Sequence, residues 1–262
     1  MRIATWNINS VTARLDRLTA WLESAQPDVV ALQELKCTSD AFPHLPIAAL
    51  GYDVVAHGNG RWNGVAILSR VGLDDVVLDV DAQPAYEGVV ETRAIGATCG
   101  GVRVWSVYVP NGREPDHDHF HYKLEWFAAL KRTAVGELAA APDRPFAIIG
   151  DFNVAPEDRD VWSIGAFAGS THVTAPERAA VARLGDWGLT DLFRLVYPDA
   201  DRLYTYWDYR SGDFHQHRGM RIDLALGTAP LAERTRWATV DRNARKGQSP
   251  SDHAPLIVDL AD

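Results

Sequence analysis

Cysteine is nearly missing from this chain of 262 residues: Cys37 and Cys99 are all it has. Two isolated thiols exclude a disulfide-stapled scaffold and a cysteine-rich zinc site, and a reducing cytoplasm is the expected location. Long apolar runs are also lacking. None approaches the roughly 20 residues that a membrane-spanning helix needs, so no membrane partner is expected. The N-terminal Met1-Arg2-Ile3-Ala4-Thr5-Trp6-Asn7 reads as a strand from the outset, which leaves no room for a secretory leader. An excess of positive charge is missing too. Against 26 Lys+Arg stand 35 Asp+Glu, a net charge of −9, which argues against a protein that coats nucleic acid through bulk charge. With 47% hydrophobic and 23% charged residues the chain is globular in composition, and its length can bury a sizeable core. No stretch reads as a linker and no period repeats, so one domain over residues 1–262 and a monomer are expected.

What is present is a series of apolar strand-like runs: Ile3–Ile8, Val29–Leu32, Tyr52–Ala56, Val65–Leu68, Val102–Val109, Phe146–Ile149, Ile222–Leu226 and Leu256–Leu260. Several are apolar throughout, as strands covered on both faces are. Helical spacing lies between some of them. Asn9-Ser10-Val11 supplies a capping residue ahead of Leu15, Leu18, Trp21 and Leu22; Leu124, Phe127 and Leu130 mark a second helix. Thr174-Ala175-Pro176-Glu177 spells a capping box with an early proline. Strands also follow one another directly in 52–70 and 89–109. Packed mixed sheets with helices outside suit this pattern better than a βαβ repeat.

The chemistry lies where the strands stop. Ile3–Trp6 ends in Asn7-Ile8-Asn9, Val29–Leu32 in Gln33-Glu34, and Phe146–Ile149 in Gly150-Asp151-Phe152-Asn153, while Ser251-Asp252-His253 precedes the last strand. Oxygen donors at the edge of a buried sheet suit a hard cation, because Mg²⁺ takes oxygen ligands and keeps several waters. Glu34 and Asp252, with Asn7 as a neutral donor, form a plausible set. Each piece alone also has a plain reading: Asn7 as a turn residue, Glu34 as a solvated strand end, Gly150–Asn153 as an Asx-turn, Asp252-His253 as a capped loop. Their joint occurrence favours a site.

Thr5-Trp6-Asn7-Ile8-Asn9, Leu32-Gln33-Glu34, Gly150-Asp151-Phe152-Asn153, Arg221-Ile222-Asp223 and Ser251-Asp252-His253-Ala254-Pro255 occur in the order found in the exonuclease III family. The chain resembles these abasic-site endonucleases of the endonuclease/exonuclease/phosphatase superfamily from residue 3 to about 260. Tyr108-Val109-Pro110-Asn111-Gly112 and Trp207-Asp208-Tyr209-Arg210 strengthen the likeness. The resemblance implies a four-layer α/β sandwich, two packed mixed sheets flanked by helices. It implies Mg²⁺-dependent cleavage of duplex DNA 5′ to abasic sites, leaving a 3′-hydroxyl, with Mn²⁺ as a plausible substitute. Family activities on 3′ ends, exonuclease and 3′-phosphatase, accompany it.

By resemblance, Asp151 activates water, Asn153 positions phosphate or water, and both are alternate metal ligands. Asp223 orients His253, whose imidazolium donates to the phosphoryl oxygen. Tyr108 reaches the scissile phosphate, as a donor or a phenolate. Tyr206, Met220 and Ile222 line the pocket for the flipped sugar, next to Trp207; Tyr206 and Met220 stand where the family varies, often with Phe or Trp and with Leu or Trp. Extruding a sugar without a base forfeits little stacking, which favours abasic sites. Asn9, Asn111, Arg113, Lys123 and Arg210 are expected at the DNA, with Arg218, Arg245 and Lys246 as further phosphate contacts. The tract Asp116-His117-Asp118-His119-Phe120-His121 is read as a polar loop leading into a helix, in preference to a second metal site.

Two rivals stand beside this reading. An inositol-phosphate phosphatase or a sphingomyelinase of the same superfamily shares Asn7, Glu34, Asp151, Asn153, Asp252 and His253 but has no use for the Trp207–Arg210 and Arg221–Asp223 motifs. An inactive DNA-binding module has no reason for the full polar set. The negative total also divides unevenly: residues 202–251 carry 9 Lys+Arg against 5 Asp+Glu, which leaves the remainder at −13. A locally basic rim on an acidic enzyme is expected to hold DNA through few contacts.

Overall fold

The computed structural model describes residues 1–60 and 62–261. The first sheet holds β1 (Arg2–Asn7), β2 (Val29–Gln33), β3 (Asp53–His57), β4 (Val65–Ser69), β11 (Thr235–Val240) and β12 (Leu256–Leu260) in the order β11-β12-β1-β2-β4-β3. The second holds β5 (Asp74–Leu78), β6 (Ala94–Cys99), β7 (Val102–Tyr108), β8 (Phe146–Asp151), β9 (Thr190–Asp191) and β10 (Asp223–Gly227) in the order β5-β6-β7-β8-β10-β9. One pair in each sheet is parallel, β1 with β2 and β7 with β8, and the other neighbours are antiparallel. Both sheets are therefore mixed, as the direct strand-to-strand connections require.

The two-residue period of a strand divides the apolar residues among three cores. Ile3, Val29, Ala31, Val65 and Ile67 of the first sheet meet Ile95, Val102, Val104, Ala147 and Ile149 of the second. Their neighbours Ala4, Trp6, Val30 and Leu32 face outward under α1 (Leu15–Ala25) and α2 (His44–Ala48). On the far side Trp105, Val107, Phe146 and Ile148 pack against α3 (Asp118–Ala140) and α4 (Ala175–Asp186). The result is the four-layer α/β sandwich, helix–sheet–sheet–helix. The central strands are covered on both faces, which explains why they are apolar throughout.

Two helix starts differ from the sequence reading. Ser10 does not cap α1: Ser10 N donates to Glu34 O at 2.7 Å and Val11 N to Leu35 O at 3.0 Å, so this segment is pinned beside the chain leaving β2. The helix begins only at Leu15. The histidine tract is no loop beyond residue 117. His117 caps α3 by accepting from His119 N at 2.9 Å, and the buried His119 ring accepts from Gly112 N at 3.1 Å. The capping box at Thr174 and Glu177 forms as the sequence spells it. Strands β5 and β9, short and largely exposed, were not among the apolar runs read as strands. Two further short helices, α5 (Leu192–Val196) and α6 (Ala229–Arg234), flank β10.

Candidate active site

Strand register assembles the site. Tyr108 of β7 lies opposite Asp151 of β8, and Asp151 opposite Asp223 of β10, so three functional groups form one row across adjacent strands. In the other sheet Asn7 closes β1 beside Gln33, and Glu34 follows with a left-handed φ of 57°. The gap between the sheets turns polar just below this level: Thr5 donates to Gln33 Oε1 at 3.2 Å, and Gln33 Nε2 to Ser106 Oγ at 3.1 Å. Gly150 has no alternative, because a Cβ there would lie 2.0 Å from Val107 O. The loop before β12 reaches back, Ser251 Oγ donating to Asn7 O at 2.6 Å, and sets Asp252 and His253 beside the row.

Asn7 is where the carboxylates converge. Its Nδ2 donates to Glu34 Oε2 and to Asp151 Oδ2, both at 2.9 Å. Asn9 joins Asp252 to the group, donating to Asp252 Oδ1 at 2.9 Å and accepting from Lys36 Nζ at 2.7 Å. Lys36 in turn lies 2.9 Å from Glu34 Oε1. Two carboxylates thus aim at one point that a partial positive charge holds, a demand a hard cation meets well. His253 sits on the other side of Asp151. Its Nδ1 is 2.8 Å from Asp223 Oδ2 and its Nε2 is 3.7 Å from Asp151 Oδ2. Burial opposes the imidazolium, but Asp223 and Asp151 outweigh it and push His253 up to about 10. Burial also raises Asp151, to about 7, against the pull of His253 and with Asp223 adding to the rise. Asp151, Asp223 and His253 lie close enough to share an ion, but a charged imidazole already bonded to Asp223 is a poor cation ligand. The oxygen donors around Asn7 suit a metal better.

Tyr108 is raised well above the ordinary phenol range by burial and by the Glu34 carboxylate, with Arg93 opposing. The buried Arg93 guanidinium stacks 4.8 Å from its ring centroid and donates to Tyr108 O at 3.1 Å. Asn153, at a left-handed φ of 52°, is fastened on every side. Its N donates to Asp151 Oδ1 at 2.9 Å, its Nδ2 to Val109 O at 3.0 Å, and its Oδ1 accepts from Asn111 at 3.2 Å.

Three expected contacts are overturned. Lys123 is not at the surface: its side chain is 0% exposed and ion-paired to Glu177, because α3 carries it inward beneath the Asn111 and Asn153 loops. Trp207 does not join Tyr206 at the pocket, since it is 0% exposed and packed among Tyr204, Phe214 and Ala254. Arg245 is buried, donating to Ser251 O at 2.6 Å and to Trp207 O at 3.3 Å. Arg210 projects into solvent but folds back on Asp208 at 2.6 Å, and Arg218 pairs with Asp213. Arg113 and Lys246 are exposed. Met220 and Ile222 lie in an apolar cluster with Ala155 and Val161 and leave Tyr206 half-buried, its ring 5.0 Å from that of His253.

Residues 4–253 match the model of the endonuclease/exonuclease/phosphatase family. The chain belongs to that family, on its exonuclease III branch. Exodeoxyribonuclease III of Haemophilus influenzae is 34% identical over 266 residues, covering 98% of each chain. The structure of a 3′–5′ exonuclease, NExo, from Neisseria meningitidis superimposes with a TM-score of 0.95 at 37% identity over the whole of both chains. A second structure of NExo, described as a 3′ phosphatase, carries an aspartate-to-asparagine change and is bound to a product DNA hairpin. An AP endonuclease from Archaeoglobus fulgidus gives a TM-score of 0.93 at 34% identity, with 99% of each chain covered. The family is one of metal-dependent nucleases, and its layered fold is the one described above.

Sequence reasoning missed Lys36, Arg93 and His172. Lys36 stood two residues from Glu34, near enough to be asked about. Arg93 lies in no strand-end motif. His172 is placed by its Nδ1, 2.6 Å from Asn153 O, with burial and the Lys123 charge pushing it down to about 4, a contact between loops with no local signature.

Proposed function

We propose that this chain is a Mg²⁺-dependent DNA repair phosphodiesterase that cuts the backbone 5′ to abasic sites and leaves a 3′-hydroxyl. Exonuclease and 3′-phosphatase action on the 3′ ends of duplex DNA accompany it. The row Asp151–His253–Asp223 beside the Glu34 carboxylate carries this reading, because one cleft offers a base, an acid and carboxylate oxygens for a cation.

Asp151, raised to about 7 by burial, is the base that takes a proton from the attacking water. His253, kept as imidazolium by Asp223, donates from Nε2 to a non-bridging phosphoryl oxygen where charge develops. Tyr108 acts as a phenol donor to the scissile phosphate, consistent with the rise burial imposes on it; as the P–O3′ bond breaks, the leaving 3′-oxygen takes its proton from solvent. Asn153 orients the phosphate. Glu34, Asn7 and Asp252 would hold the Mg²⁺, which supplies Lewis-acid neutralisation of the phosphoryl charge. Tyr206 over Met220 and Ile222 receives the flipped sugar, and Asn9, Asn111, Arg113 and Arg210 meet the DNA backbone.

No helix among the described residues is long and apolar enough to cross a membrane. A cytoplasmic location, which two lone cysteines suit, a monomer and one domain over residues 1–262 belong to the same proposal. The test is one gel under matched Mg²⁺, comparing duplexes with a single abasic site, a 3′-phosphate and a plain recessed 3′ end, with an inositol phosphate alongside. Incision at the abasic site with EDTA sensitivity is expected. Turnover of the inositol phosphate with intact DNA would overturn the reading.

A further inference from the structure

Lys123 has no access to solvent, so whatever its charge does, it does inside the protein. Its Nζ donates to Asn153 O at 2.8 Å, to Asn111 O at 3.1 Å and to Thr171 Oγ1 at 3.4 Å, and it pairs with Glu177. Glu177 gathers the same loops from below, its Oε1 accepting from Thr171 Oγ1 at 2.7 Å and from His172 N at 3.0 Å. Its Oε2 accepts from Thr174 N at 3.1 Å, at the start of α4. One buried pair, Lys123 on α3 with Glu177 on α4, therefore ties the Asn111 loop after β7, the Asn153 loop after β8 and the 171–174 segment before α4.

The geometry points to Lys123 and Glu177 as positioning residues, which clamp the Asn111 and Asn153 carbonyls and thereby hold Asn153 and Asp151 in register with the reacting phosphate. Two features argue for a clamp over simple packing. Asn153 turns through a left-handed backbone, which asparagine tolerates, and the Lys123 ammonium holds its carbonyl in that turn. Its N–H is the donor to Asp151 Oδ1, so displacement of the loop reaches the proposed base directly. The neighbourhood also leaves no slack: a Cβ at Gly112 would lie 2.7 Å from Thr171 Oγ1 and 3.1 Å from Lys123 Cδ. A buried ion pair is a poor source of stability, since desolvation offsets most of its attraction, so its retention here fits a geometric role.

The inference rests on Asp151 and Asn153 acting as proposed above. Its test compares the wild type, Lys123→Met, and the double variant Lys123→Met with Glu177→Gln, each by thermal melting and by kcat and KM on an abasic duplex over a salt series. Amide exchange at Asn153 is measured on the same proteins. Lys123→Met leaves Glu177 buried without its partner and melts lower; the double variant recovers the melting temperature. In both, kcat per folded molecule falls on the order of 10²-fold, as loss of alignment does, while KM and its salt dependence stay put. Exchange at Asn153 rises at least about tenfold, a loss of local protection. A kcat within about threefold of wild type with unchanged exchange would sink the clamp, and so would a raised KM with a flatter salt response, the sign of a direct phosphate contact. A wild type inert on DNA would overturn the function instead, and exchange at Asn153 would still decide the clamp.

Discussion

Asp223 and His253 are joined at 2.8 Å, Oδ2 to Nδ1, in a site where Asp223 is 0% and His253 4% exposed. The other Asp223 oxygen accepts no hydrogen bond among the described residues, so the imidazole is its main compensation for burial.

In the metal-free protein His253 therefore stays protonated across neutral pH. A group raised in the fold stabilises fully below its unfolded value, ~6.5 for histidine, and the contribution is lost as pH rises toward about 10. Nitrogen-detected NMR of the ring is expected to show imidazolium at pH 8, and the melting temperature to fall between those limits. Asp223→Asn flattens that fall. A ring that titrates near its ordinary value would contradict the pairing.

Asp151→Asn removes the base but keeps the shape. Turnover is expected to drop by ~10²–10⁴-fold, the usual worth of a positioned base, with affinity for an abasic duplex in Ca²⁺ preserved. Turnover within tenfold of wild type would show the role to be misassigned.

Trp207 and Tyr206 are adjacent in sequence but differ in function. Trp207→Ala opens a cavity in the core and is expected to cost about 3–5 kcal/mol, seen as a lower midpoint in urea, with the preference for abasic over intact duplex unchanged. Tyr206→Ala changes that preference with little loss of stability. The reverse pattern would return Trp207 to the pocket.

Arg221 shares Asp160 with Arg194 and also reaches Asp191 at 2.6 Å, so it anchors the segment that carries Met220 and Ile222. Arg221→Met leaves Asp160 to Arg194 alone and removes the ion pair of Asp191, and is expected to cost about 3 kcal/mol. Burial raises the Asp160 carboxyl but the arginines outweigh it and hold it below its ordinary value. Its contribution is present above ~4, the unfolded value, and is lost as pH falls through the folded one. Asp160→Asn should therefore lose less stability than wild type on acidification, measured by urea unfolding at pH 6 and below 4.

With Lys123 and Arg245 withdrawn into the interior, four of the six cations read as phosphate contacts keep accessible side chains: Arg113, Arg210, Arg218 and Lys246. About four phosphate contacts give a log–log salt slope near −4. A slope of roughly −8 or steeper, measured by anisotropy, would mean that a larger basic surface meets the DNA.

The amino-acid sequence by itself determined the strands, because central strands covered on both faces must be continuously apolar, and it marked the site by the polar residues at which those runs break. Asn7, Glu34, Asp151 and His253 were legible for that reason: each ends or precedes a buried strand, and strand ends at one edge meet once the sheets pack. Burial of long side chains was not legible. Lys123 and Arg245 read as surface groups because a lysine or arginine usually is one, Trp207 because Asp208 and Arg210 follow it, and nothing local says that Glu177 or a carbonyl waits beneath. Only the tertiary structure decided which cations stay exposed and which hold loops from within, since that depends on partners more than forty residues away along the chain for Lys123 with Glu177.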